Sequence, residues 1–565
     1  MIVLGITDGH DAGAAIIKNG KIIAAINEER IVRKKLYTGL PKESIKSVLK
    51  LTKIEHGQID KVAIAATSGM VASLGWTDVS SRKKVYQQVA KRFPAVAGSQ
   101  KFAKMQRQVF TALRPKDTET YVRSLGIDAP VVYVDHHLCH AACAYYTGGK
   151  KNALVITSDG SGDGLSSTVY VGKDGVLKKI KSVPTLNSVA YYYAYITLIA
   201  GFKMFKHEGK ITGLAAYGNP DKCYDVFKNC FGYSTKTNSP YNQLGMIGED
   251  AIKHLRKELK PYSKEDYSAA IQKRSEDVTT KFVEEYVKKT GLGDVMLAGG
   301  LFANVKINQR IAEAKGVKSV YIHPHMGDGG LGAGAALYVA GRAMAHKGKG
   351  LMPYKLDNVY FGTGFTNSEI EQAITDKNMK GEYIKNIEKY IGEMLTKKKI
   401  IGHFDGKMEF GPRALGNRSI LADPQDKTIN KWLNERLHRT EFMPFAPSIL
   451  DTAAPKYYEN YARSKYAAQF MTITFDDTKI AQKAKAVVHV DNTTRPQVVS
   501  KNQNPRYYKI LQQYQRESGL PIFVNTSFNS HEEPIIHTPE NGLNSFNKGT
   551  VDILVMGNWV VTKRK

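Results

Sequence analysis

Three histidines fall within five residues of the stretch "VDHHLCHAACAYYTGG", Val134 to Gly149. The flanking pattern predicts a short buried strand, then a helix with Asp135 as its N-cap and Gly148-Gly149 as its stop. His136 and His140 are four apart and share one helix face. Two imidazoles one turn apart can grip a metal ion; the alternative is a helix with partly exposed histidines that bind nothing. A metal needs further ligands. Asp159 and Asp328 both stand at the ends of apolar strands, where side chains can converge. Two imidazoles and two carboxylates make a mixed N/O set suited to iron(II), manganese or zinc, with His137 outside it. Read alone, Asp159 is an ordinary turn residue, and Asp328 a phosphate-loop aspartate holding water or magnesium.

The elements that must carry these groups show a repeat. Residues 2–28, "IVLGITDGHDAGAAIIKNGKIIAAINE", and 153–182, "ALVITSDGSGDGLSSTVYVGKDGVLKKIKS", each predict a strand ending in Asp-Gly (Asp8-Gly9; Asp159-Gly160). A second strand, a tight turn (Asn19-Gly20; Asp174-Gly175) and a third strand follow. Glycine-rich strand ends recur at Gly299-Gly300, ahead of a helix with Asn304 and Asn308, and at Asp328-Gly329. Each such turn can leave backbone N–H groups facing a phosphate. Together, in two similar halves, they resemble the nucleotide cleft of the actin-like ATPase fold.

At 565 residues the chain has room for two or more domains. No run is long and apolar enough to span a bilayer, so no membrane partner is expected. The N-terminus has no basic n-region and already reads as structure. Four cysteines are too few for a disulfide framework, which fits a reducing cytoplasm. Eighty-one Lys and Arg against 53 Asp and Glu leave a net charge of +28, an excess that attracts polyanions. Between Val79 and Lys116 no acid occurs, while Lys83, Lys84, Arg92, Arg107 and Arg114 alternate with aromatic and amide residues. That composition suits a phosphate-tracking surface; lysine bias spread over a solvated helix pair is the alternative.

The most specific signals lie in the second half: "DGKMEFGPRALGNRSILADPQD" (405–426), "EFMPFAPSIL" (441–450), "HVDNTTRPQVV" (489–499), "NPRYY" (504–508) and "PIFVNTSFNSHEEPI" (521–535). With "HDAGAAII…NEER", "HHLCHAA", "HEGKITGLAAYG" (207–218) and "GGLFANVKIN", they resemble the NodU/CmcH O-carbamoyltransferase family over nearly the whole chain. The resemblance implies an α/β protein of two domains. Residues 1–350 would form a Kae1-like, actin-type ATPase domain that holds a metal, usually iron, with ATP and Mg2+. Residues 351–565 would form a YrdC-like domain that receives carbamoyl phosphate. Carbamoyl phosphate and ATP would give carbamoyl adenylate, whose carbamoyl group then moves to an acceptor hydroxyl in the first domain.

Under that resemblance the residues take roles. Arg413, Arg418, Arg495 and Arg506 offer forked donors to phosphate oxygens, Lys407 adds a point charge, and Asn525, Ser527 and Asn529 read the carbamoyl amide or complete the cradle. A structural salt bridge is the alternative for any one arginine. Gly160, Gly299, Gly300, Asn304 and Gly329 would receive the nucleotide, and Lys210 would neutralise charge there. His10, following Asp8 at a hairpin tip, is the candidate base for the acceptor hydroxyl, since the family places a His-Asp pair there; otherwise it only bonds substrate or backbone. Two positions depart from the pattern: Glu532 stands where glycine is usual, and Met443 where arginine is common.

The acceptor has no readable motif. The basic stretch next to the histidine helix points to a hydroxyl on nucleic acid, with 5-hydroxymethylcytosine or another hydroxymethyl pyrimidine in DNA as the expected case. Such a base would be flipped out or single-stranded, and the protein would be phage-encoded, acting in host cytoplasm. The runner-up is a small-molecule hydroxyl on a nucleotide, sugar, antibiotic or glycoside. Readings of other kinds are a non-catalytic nucleotide-binding regulator and a tRNA threonylcarbamoyl enzyme.

Overall fold

The turns Asn19-Gly20 and Asp174-Gly175 have positive φ at both central residues (51° and 78°; 47° and 82°), the backbone that folds a right-twisted hairpin back on itself. Each closes part of a three-stranded meander. In the first, β1 (Ile2–Thr7) lies antiparallel to β2 (Gly13–Lys18), with β3 (Lys21–Asn27) beyond it. β4 (Lys61–Ala65) and β5 (Val131–Val134) add parallel strands on the other side of β1. In the second, β6 (Asn152–Gly162), β7 (Leu165–Lys173) and β8 (Val176–Pro184) make the meander. A small hairpin of β9 (Phe231–Ser234) and β10 (Ser239–Asn242) follows. β11 (Asp294–Ala298) and β12 (Ser319–Ile322) then add parallel strands beside β6. The sheets β3-β2-β1-β4-β5 and β8-β7-β6-β11-β12 repeat one plan.

The computed structural model describes residues 1–68, 89, 92–112, 114–345, 350–438 and 442–562. The chain forms two α/β units, Met1–Ile23 with Tyr37–Lys355, and Ala24–Leu36 with Leu356–Lys565. The expected division after residue 350 differs from this in one substantial way: Ala24–Leu36 packs with the second unit.

A second difference concerns β6. The strand does not end at Asp159-Gly160 but runs to Gly162 and turns at Asp163-Gly164 (φ 49° and 83°). Its register with β7 breaks between Ser158 and Gly162, and such a bulge re-aims side chains without ending the strand.

Close helix packing positions the site of the first unit. A side chain on Gly334 would overlap the carbonyl of Cys139, and one on Gly5 the carbonyl of Gly332. The helix Leu331–Ala345 therefore presses on both β1 and the histidine helix, His136–Thr147. Asp328, in the single turn just ahead of that helix, is carried to the histidines.

The second unit is built on an eight-stranded sheet. Its strands in chain order are β13 (Gly381–Tyr383), β14 (Ile401–Phe404), β15 (Arg418–Ala422), β16 (Ala446–Leu450), β19 (Gln497–Val499), β20 (Ile522–Ser527), β21 (Ile553–Met556) and β22 (Trp559–Thr562). They lie in the order β13-β22-β21-β14-β15-β20-β16-β19; β17 (Phe475–Asp476) and β18 (Thr493–Thr494) pair separately. The loop 405–417, between β14 and β15, carries most of the signature "DGKMEFGPRALGN".

Candidate metal centre and anion-binding loop

Asp135 caps the histidine helix, its Oδ1 accepting from the Leu138 N–H at 3.0 Å. One turn of helix then turns His136 and His140 toward Asp159 and Asp328. His140 Nε2 is 3.2 Å from Asp159 Oδ2 and 3.7 Å from Asp328 Oδ1; His136 Nε2 is 3.6 Å and 3.7 Å from the same atoms. One ligand atom from each residue lies within 4.8 Å of the others, close to the spread of a shell with bonds of about 2 Å. His136 Nε2 is buried with no hydrogen-bond partner among the described residues, a costly state that a ligated ion would relieve. The donor set fits iron, manganese or zinc. His137 stands apart, bonded to Thr157 Oγ1 (2.8 Å) and the Leu165 carbonyl (3.1 Å), and burial lowers its pKa to about 3.

The electrostatics match a cation site. Burial alone would lower His136, but Asp159 and Asp328 outweigh it and raise its pKa to about 9. Burial and Asp159 push Asp328 up, yet the histidines hold it at about 2, and Asp159 falls well below the usual carboxylate range despite its burial. These shifts belong to a cluster whose only positive charges are protons; a bound dication would displace them.

A residue that sequence reasoning missed holds this geometry. Asp163, 2% exposed, accepts from the backbone N–H groups of His136 (2.8 Å), Thr67 (2.9 Å) and Ser68 (2.8 Å), and from the Ser68 hydroxyl. Its neighbour Gly162 lies so close to the His136 ring that any side chain there would overlap it.

The expected His10-Asp8 pair does not form. Both Asp8 oxygens accept from Arg114 Nη2 at 2.7 Å, and Oδ2 also accepts from Thr118 Oγ1. Asp8 is thus spent on the basic segment. His10 instead faces Asp328, Nδ1 to Oδ2 at 3.7 Å. Burial works against the charged ring, but Asp328, Asp11 and Asp159 raise its pKa to about 9.

Other expected contacts resolve similarly. The N–H groups of Gly160 and Gly300 donate to Asp159 itself (2.7 and 3.2 Å). Gly299 has φ 108° and abuts the Ser158 backbone; Gly329 abuts His325 and Asp11. Asn304 caps the helix Val305–Glu313 through Oδ1 and donates to Gln272 at 2.8 Å. Lys210 is 5% exposed, over the Phe202 ring. In the basic stretch, Arg107 is paired with the helix cap Asp135 at 2.6 Å, Arg92 is exposed, and Lys83 and Lys84 lie outside the described residues.

In the second unit, Arg418 is wholly buried and turned inward. Nη1 donates to the carbonyls of Asp405 (2.6 Å) and Asn417 (2.9 Å), Nη2 to those of Thr363 (3.2 Å) and Gly406 (3.3 Å), and the guanidinium lies 3.6 Å from the Phe404 ring centroid. This arginine shapes the loop; it does not reach out as an anion ligand. Arg506 is held by Asp405 (2.8 Å), Glu388 (3.5 Å), the Gly557 carbonyl and Asn558. Asn525 Nδ2 donates to Gln497 (2.7 Å) and Ser448 (3.1 Å), while its Oδ1 is buried with no hydrogen-bond partner among the described residues. Asn529 donates to the Ser530 and Glu533 carbonyls. Arg413, Arg495 and Ser527 are half-buried and Lys407 is exposed. Glu409, 2% exposed, accepts from the N–H groups of Leu415, Asn417 and Arg418 (2.7, 2.9 and 3.2 Å), so an internal anion fixes the turn that presents Arg413.

Two family models match the chain: "Carbamoyltransferase N-terminus" over residues 2–337 and "Carbamoyltransferase C-terminus" over 392–563. An uncharacterized protein of Methanocaldococcus jannaschii is 31% identical over all of both chains. Nodulation protein NolNO of Sinorhizobium fredii is 29% identical over 98% of this chain and 79% of its own. Nodulation protein NolO of Bradyrhizobium diazoefficiens is 30% identical over 76% of this chain and 79% of its own.

Proposed function

The chain belongs to the carbamoyltransferase family, and from that premise we propose that it transfers the carbamoyl group of carbamoyl phosphate to the hydroxyl of a small molecule. The observation that carries the choice of acceptor is how the basic segment is used: Arg107 is committed to Asp135 and Arg114 to Asp8. These two arginines tie the segment to the cap of the histidine helix and to the end of β1, and are not spent as phosphate donors. Two of the relatives named above are called nodulation proteins, a name that points to no nucleic acid. The small-molecule reading therefore replaces hydroxymethylcytosine DNA as the leading one.

In this reading the second unit has the YrdC-like role, taking carbamoyl phosphate at the loop that Glu409 and Arg418 shape, and ATP supplies the adenylate. The first unit has the Kae1-like role. His136, His140, Asp159 and Asp328 would hold an ion, iron first and manganese or zinc as alternatives, whose chemistry when bound is to neutralise phosphate and polarise a carbonyl oxygen. His10, with Nδ1 toward Asp328, is placed to take the acceptor's proton at Nε2 when a cation held by these aspartates frees the ring of the proton it otherwise keeps. Asp163 and Gly162 keep His136 in place, and Asp8 keeps Arg114 against the tip of β1.

The test is a panel. The protein, metal, ATP and carbamoyl phosphate are incubated with free sugars, aminoglycosides, nucleosides and an oligonucleotide containing hydroxymethylcytosine. A carbamoyl mass increment on a small alcohol and none on the oligonucleotide supports the reading; an increment on the oligonucleotide alone rejects it.

A further inference from the structure

Arg30, the last residue of the motif "NEER", belongs to the segment Ala24–Leu36 that packs with the second unit. It is 4% exposed. Nη2 donates to the Gly411 carbonyl at 2.7 Å, and Nε faces Glu29 Oε1 at 3.1 Å. Nη1 is buried and finds no hydrogen-bond partner among the described residues. A buried charged donor left unmade is one of the more expensive states a protein can hold.

Its surroundings deepen the imbalance. Arg33, three residues on, donates to the carbonyls of Ile535 and Pro534, both at 2.7 Å. Two residues further, His537 Nε2 meets Thr363 Oγ1 at 3.0 Å, and the Thr363 carbonyl accepts from Arg418 at 3.2 Å. The loop whose Gly411 binds Arg30 is the one whose carbonyls bind Arg418. Three guanidinium groups, those of Arg418, Arg33 and Arg30, thus gather around His537. The nearby acids are largely committed: Glu29 also accepts from the Leu36 N–H, Asp405 pairs with Arg506, and one oxygen of Glu409 is used by three backbone N–H groups. Burial first, and then the neighbouring arginines, lower the pKa of His537 to about 4, so it adds no charge at neutral pH. Buried positive charge of this kind calls for an anion, and forked guanidinium donors suit tetrahedral oxygens.

We propose that Nη1 of Arg30 is a donor to a phosphate group bound between Arg30 and the Gly411 loop of the second unit. The identity of that group, the phosphate of carbamoyl phosphate or the inorganic phosphate set free from it, rests on the carbamoyl-transfer reading; the subsite does not. Arg30 acts on the ligand directly, whereas Arg33 and Arg418 supply field and hold the backbone.

The experiment is titration calorimetry of the full-length protein with inorganic phosphate and, separately, with carbamoyl phosphate. Arg30→Met is expected to weaken phosphate binding about 10- to 100-fold, and Arg30→Lys, which restores the charge without the fork, to recover part of it, with metal content unchanged in both. Wild-type affinity in Arg30→Met, or no phosphate binding by the wild type, overturns the proposal. If Arg30→Met does not fold, Arg30→Lys decides, and unchanged phosphate affinity there overturns it too. Arg30-dependent phosphate binding in a protein that transfers no carbamoyl group supports the subsite and removes the carbamoyl-phosphate reading.

Discussion

His10 faces Asp328 and not Asp8: its Nδ1 lies 3.7 Å from Asp328 Oδ2, while both oxygens of Asp8 are taken by Arg114 at 2.7 Å. Two aspartates equally open to the histidine on paper therefore have separate jobs. Asp328 serves both the metal cluster and His10, and Asp8 anchors the segment that leads to the histidine helix.

The separation predicts different phenotypes. Asp8→Asn breaks a largely buried ion pair and is expected to cost about 3 kcal/mol of stability. His10→Ala leaves the Asp8–Arg114 pair in place and should lower acceptor transfer about 100- to 10,000-fold. Thermal unfolding and single-turnover transfer, measured on both variants, check the pair. Normal transfer in His10→Ala contradicts its role as base.

Gly162→Ala tests the packing of His136. The new methyl group must displace the His136 ring, whose atoms are the three nearest to it. Metal bound per chain should fall well below that of the wild type while the circular dichroism spectrum stays native. A full equivalent of metal in this variant shows that the ring has room to move.

Glu532 occupies a left-handed backbone conformation, φ 65°, at the position where the family pattern has glycine. The backbone has kept the shape that glycine favours, although the side chain does not. Glu532→Gly should stabilise the protein by about 0.5–1 kcal/mol, read as a higher urea midpoint with unchanged slope. A lower midpoint means the Glu532 side chain contributes more than its backbone costs.

Acid should destabilise the protein before its carboxylates titrate. His323 is buried and its pKa lowered to about 3, by burial and then by His140; His537 is lowered to about 4. Both are neutral in the fold, whereas in the unfolded chain they titrate near about 6.5. Between these values the unfolded state binds more protons, so these two groups make stability rise with pH from about 4 to about 6.5; above that, His10 and His136, raised to about 9 in the metal-free fold, make it fall again. The thermal midpoint should follow that course, and His537→Gln should flatten it. A midpoint independent of pH across this window contradicts the assignment.

The grouping of His136, His140, Asp159 and Asp328 was legible in the sequence because its signals are local. The four-residue spacing of His136 and His140 survives any packing of their helix, and strand-end aspartates in a repeated plan have few places to point. Arg114 was misread because its partner, Asp8, lies 106 residues away; an acid-free stretch looks free when its counter-charges come from other elements. Arg418 was misread because its burial is a tertiary fact: three carbonyls of a folded loop and that of Thr363, invisible in "GNRSILA", claim its donors. Arg30 was passed over because it sits among residues of the first unit in sequence and packs with the second. Asp163 was hidden by ending β6 at the wrong Asp-Gly, four residues early.

The central claim, carbamoyl transfer at a metal centre made by His136, His140, Asp159 and Asp328, is tested most directly by reconstitution. Metal-stripped wild type and His140→Ala are loaded with iron(II), and bound metal and carbamoyl transfer from carbamoyl phosphate to a small alcohol are measured on the same samples. The account predicts one tightly held equivalent and turnover for the wild type, and neither for His140→Ala with its fold intact. A His140→Ala protein that keeps a full equivalent and transfers at the wild-type rate would contradict it.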